Sequence, residues 1–71
     1  MEVTITAHSW IGESLRNYLE GIGFGIHSHV VDPGGDGNDY ISIIMPGGWT
    51  KSMLRQRIMN CDIPQSMFEI E

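Results

Sequence analysis

The chain holds a single cysteine, Cys61, and only four basic residues, Arg16, Lys51, Arg55 and Arg57. A lone thiol closes no internal disulfide, so packing must hold the fold and a reducing compartment is the default expectation. Nine acids against four bases leave a formal charge of −5. That balance disfavours direct nucleic-acid binding, where Lys and Arg must replace phosphate counterions. No apolar run approaches the roughly 20 residues of a membrane-spanning helix. The first residues also lack the basic, apolar and small-residue succession of a secretion signal. The expectation is a soluble, cytoplasmic protein without a membrane partner.

What is present is ordinary for a globular chain: 41% hydrophobic and 18% charged residues exclude wholesale disorder. Seventy-one residues support one domain, 1–71. A chain this short buries only about 60% of its unfolded surface. Some apolar surface is therefore expected to be completed by a partner or by a second copy.

Two periodicities alternate along the chain. Val3, Ile5 and Ala7 interleave with Thr4, Thr6 and His8, the period of a half-buried strand. Ser9 is placed to cap a helix over Trp10 to Glu20, whose apolar arc gathers Ile11, Leu15, Tyr18, Leu19 and Ile22. Gly21 and Gly23 suit its termination. Phe24 to Val31 reads as a second strand, with Phe24, Ile26, Ser28 and Val30 on one face and His27, His29 and Val31 on the other. Tyr40 to Met45 reads as a third, with Ile41, Ile43 and Met45 inward. Thr50 then caps a second helix, Trp49 is placed to staple onto Leu54, and Leu54, Ile58 and Cys61 form the core stripe. Phe68 and Ile70 mark a short last strand. The order β-α-β-β-α-β predicts an α+β, ferredoxin-like fold: a four-stranded antiparallel sheet in order 4-1-3-2 with both helices on one face. No motif narrows this to a family. The iron-binding cysteines of ferredoxins and the aromatic strand motifs of RNA-recognition domains are both absent.

The stretch Asp32-Pro33-Gly34-Gly35-Asp36-Gly37-Asn38-Asp39 joins the second and third strands. Its acids invite a hard cation, but the spacing departs from a calcium loop and no glutamate closes it. Proline, glycine, Asp and Asn are turn formers in their own right, so the stretch is read as a connector. His27 and His29, two apart on a strand, should point the same way. Together they make an incomplete zinc set, with His8 too distant to complete it. Cys61 or Ser9 beside a histidine lacks a recognisable nucleophile motif, so no catalytic residue and no cofactor is assigned. Gly47, Gly48, Thr50 and Lys51 at a helix start have the ingredients of an anion site, although capping accounts for most of them.

The remaining signal is apolar and aromatic residues where water is expected. Trp10 falls on the polar side of the first helix, Tyr40 and Ile44 on the open sheet face, and Met59 away from the second helix's core stripe. Arg57 sits at the margin of that stripe near Arg55, either laying its stem on the core or anchoring an interface. Tyr, Trp, Met and Arg are the types enriched in interface cores. The functional expectation is a non-enzymatic protein-interaction module binding a larger protein or itself. It would serve an accessory or inhibitory role, by analogy with small phage inhibitors of bacterial enzymes or defence complexes. Its candidate interface is Trp10, Tyr40, Ile44, Arg55, Arg57 and Met59. The alternatives are a small-ligand regulatory domain binding at a dimer interface or at the Gly47 to Lys51 helix start, and a metal-binding protein using His27, His29 and an acid or His8.

Overall fold

The computed structural model describes all residues from Met1 to Glu71. Strand β1 (Glu2–His8) leads into helix α1 (Ser9–Gly21), β2 (Gly25–Val30), β3 (Asn38–Ile44), helix α2 (Lys51–Met59), a single 3-10 turn (Gln65–Met67) and β4 (Phe68–Ile70). The four strands form one antiparallel sheet in the order β2-β3-β1-β4, the ferredoxin-like arrangement expected from the element order.

Register explains which side the helices cover. Val3 pairs with Ile43, Ile5 with Ile41 and Ile70, and Ala7 with Phe68. These side chains form one face and join Leu15 and Leu19 of α1 with Leu54 and Ile58 of α2 in a single buried core. Burying such side chains is worth roughly 1.5–3 kcal/mol each, so the alternation of β1 and β3 decides the orientation of the sheet. Glu2, Thr4, Thr6 and His8 take the opposite face with Tyr40, Ser42 and Ile44. No helix covers that side.

Several local expectations are corrected. Ser9 opens α1 rather than capping it: the cap position is His8, with no side-chain hydrogen bond, and the Ser9 hydroxyl turns to Asp39. Strand β2 contains a bulge between Ile26 and Ser28. The extra residue breaks the period of two, so His29 shares the helix-facing side with Ile26, while His27 reaches Glu2 on the open side. The two histidines therefore face opposite sides of the sheet. Cys61 lies beyond the end of α2 in a turn and is half-buried, its thiol 3.6 Å from the Arg57 carbonyl.

Other expectations stand. Gly23 ends α1 at φ 105°, where the Phe24 amide closes back to the Leu19 carbonyl at 3.1 Å. Thr50 Oγ1 accepts from the Met53 amide at 3.1 Å and caps α2. Trp49, expected to staple onto Leu54, packs against the core and has Phe24 as its edge-to-face partner, with ring centroids 4.9 Å apart.

Candidate functional site

The acidic turn between β2 and β3 shapes one end of the molecule. Asp32, at φ 44°, accepts the Gly37 amide at 2.9 Å, and Asp36 accepts the Asn38 amide at 3.2 Å. Each carboxylate thus satisfies its own backbone, as turn chemistry predicts. The third acid behaves differently. Two residues before Ile41, Asp39 occupies the core-facing parity shared with Ile41 and Ile43 and is only 1% exposed.

A buried carboxylate must have partners, and Asp39 has three. Its Oδ1 accepts the Ser9 hydroxyl at 2.6 Å and the Asp32 amide at 3.1 Å. Its Oδ2 lies 2.6 Å from His29 Nε2. An ionised carboxylate only accepts, so Nε2 carries the proton. Burial by itself pushes the Asp39 carboxyl up, but the bonds from Ser9, His29 and the Asp32 amide, with the charge interaction with His29, outweigh it and hold the group below the ordinary aspartate range. Gly12, also buried, lets α1 approach: a Cβ there would overlap the carboxylate, standing 2.8 Å from Asp39 Cγ. One carboxylate so ties α1, β2, β3 and the turn together.

Serine, aspartate and histidine here do not make a nucleophile pair. The carboxylate lies between hydroxyl and imidazole and bonds both, whereas an activated hydroxyl needs the base itself as partner. No group of three or more His, Cys, Asp or Glu converges to hold a metal. Beside the cluster, an open cleft of about 430 Å³ runs between α1 and the edge strand, lined by Glu13, Arg16, Ile26 and Val31 with Ser9, His29 and Asp39.

The open sheet face is the second candidate. Its rows follow the register: Glu2, Ile44 and Gly25; Thr4, Ser42 and Ser28; Glu69, Thr6, Tyr40 and Val30. Thr4 and Ser42 bond across strands at 3.2 Å, and His27 Nδ1 meets Glu2 at 2.6 Å. Ile44 is 45% and Val30 47% exposed. None of the four strands contains a lysine or arginine. All four basic side chains belong to the helices.

Of the expected interface residues, Tyr40 and Ile44 share this face. The other four belong to the helical layer on the far side, so a single Met, Tyr and Ile patch does not exist. Trp10 projects from α1 with 77% of its surface exposed. Met59 ends α2, and Arg55 borders β4 beside Gln65, Ser66 and Glu69. Arg57 is engaged within the chain: its Nε donates to the Tyr18 hydroxyl at 3.2 Å, and its guanidinium lies 5.9 Å from the Trp49 ring centroid. At the expected anion site, the Thr50 hydroxyl is occupied by capping, and Gly47, Gly48 and Lys51 are exposed.

Sequence reasoning missed the Asp39 hub and the role of Gly12. Both carried a signal: the β3 alternation extended back by two, and a glycine in the core arc of a helix.

Fold and surface together define a small α+β module with one helix-covered and one open sheet face. No family model, curated protein or solved structure matches the chain.

Proposed function

We propose that this chain is a non-enzymatic protein-interaction module, serving as an accessory or inhibitory protein of the kind phages direct at bacterial enzymes or defence complexes, and that it docks through its open sheet face onto a basic protein surface. The observation that carries this reading is the composition of that face. Exposed Ile44 and Val30 and the half-buried Tyr40 lie among hydroxyl side chains, with Glu2 and Glu69 as the carboxylates and no lysine or arginine on any strand. Apolar groups supply contact area, and carboxylates on a face without lysine or arginine favour a positively charged partner and speed encounter, Glu2 being held by His27 within the chain. The same charge repels phosphate backbones and anionic lipid.

The test compares capture from source-cell lysate by the wild type, Ile44→Asp, Glu2→Lys/Glu69→Lys and a helix-side control, Glu20→Lys. The reading requires a basic protein retained by wild type and control, lost with both sheet-face variants, and released by salt as exposed charges are screened. Identical capture by all four proteins would refute it.

A further inference from the structure

The two edges of the sheet are unequal. Strand β4 is three residues long and carries Glu69 at its centre. Strand β2, Gly-Ile-His-Ser-His-Val, is bonded only to β3 and contains no Lys, Asp, Glu or Pro; of the features that ordinarily blunt a free edge it carries only the bulge between Ile26 and Ser28. Its helix-facing side opens into the cleft described above. There Ile26, His29 and the 65%-exposed Val31 face Ser9, Glu13 and Arg16 of α1.

We propose that this chain self-associates through β2: two copies pair antiparallel along this edge about a two-fold axis, and Glu13 of each α1 meets Arg16 of the partner subunit. The proposal concerns a different surface from the open sheet face and does not depend on it.

Charge selects the orientation. Glu13 and Arg16 line the same flank of α1, roughly one helical turn apart. An antiparallel two-fold exchanges their order, so each acid faces a base in both halves of an isologous contact. A parallel two-fold runs along the strands and would put the two helices on opposite faces of the joined sheet, where these charges do not meet.

The levels agree as well. Ser9 and His29 share Asp39 and so lie side by side. At about 1.5 Å rise per helical residue, the midpoint of Glu13 and Arg16 lies about 8 Å along α1 from Ser9. At about 3.3 Å per strand residue that distance reaches Ile26 or His27, within about one residue of the middle of β2. One axis therefore serves both the strand pair and the helix pair. The bulge falls at this axis and shortens the ladder, so the helix charges carry much of the orientation. Arg16 is free to respond: its links to Glu20 at 4.0 Å and Asn17 at 2.8 Å are side-chain contacts at the surface, which hold weakly.

Sedimentation velocity and light scattering over a dilution series, up to about 1 mM to reach weak association, test the geometry. The wild type should form a dimer. Glu13→Arg and Arg16→Glu should each weaken it by roughly tenfold or more through like-charge contact, and the double exchange should restore it. Val31→Lys, outside the helix, should also dissociate it, which guards against an effect of the helix substitutions on α1 itself; circular dichroism confirms that each variant is folded. A wild type that stays monomeric overturns the proposal. So does a dimer indifferent to the charge variants and Val31→Lys, or single-variant losses that the double exchange fails to rescue.

Discussion

Replacing Gly12 by alanine sets two physical effects against each other with opposite signs. Glycine within a helix costs about 1 kcal/mol relative to alanine, so propensity alone makes Gly12→Ala stabilising. Packing opposes this. The new Cβ would overlap the Asp39 carboxylate and stand 3.1 Å from Asp39 Cβ. Neither group has room to yield, because Asp39 is on a central strand and 1% exposed. Displacing the carboxylate strips an acceptor from the Ser9 hydroxyl, His29 and the Asp32 amide. Hydrogen bonds to a charged group are worth about 1.5–3 kcal/mol each and are not additive. Losing the better part of two, less the propensity gain, leaves a net destabilisation of about 2–4 kcal/mol. For a domain of this size each kcal/mol moves the melting temperature by roughly 4–8 °C. Thermal and urea unfolding of Gly12→Ala, Asp39→Ala and the double variant form the assay. The two substitutions should couple strongly, since Gly12→Ala costs far less once the carboxylate is gone. A Gly12→Ala protein that melts at or above the parent temperature would refute the close-approach argument.

Acid unfolding should report the same carboxylate. Because Asp39 titrates lower in the folded protein than its ordinary 3.8, its contribution is complete above that value and is lost as pH falls through the lower native one. Urea midpoints of wild type and Asp39→Asn should therefore converge as pH drops below 3.8; a gap that widens there would contradict the hydrogen-bond network. Thr50→Ala removes the cap on the Met53 amide and should cost about 1 kcal/mol, with Thr50→Ser recovering most of it in the same melts. An unchanged melting temperature for Thr50→Ala would mean that the α2 terminus is held by Trp49 packing instead.

Much of the architecture was legible because its signals are local. The alternation of Val3, Ile5 and Ala7, the helical arc of Leu15 and Leu19, and the cap at Thr50 each depend on a few neighbouring residues. The element order then restricted the topology to one common solution. Errors arose where a local rule met a non-local contact. Ser9 is a good cap by type, yet a buried carboxylate 30 positions away binds its hydroxyl more strongly. His27 and His29 look cofacial until the bulge offsets them. For Arg57 the sequence left two roles open, stem on the core or interface anchor, and contacts with Tyr18 and Trp49 engage it within the chain.

By itself, then, the sequence determined the succession of strands and helices, the inward faces of β1 and β3, and the acidic balance of the chain, because period, turn chemistry and charge are properties of neighbouring residues. Only the tertiary structure decided that Asp39 becomes the buried link between α1 and the sheet, that Gly12 makes room for it, and that the candidate interface residues divide between two sides of the molecule. Those outcomes depend on desolvation and close contact between residues far apart in the chain, and such contacts exist only once the core has closed.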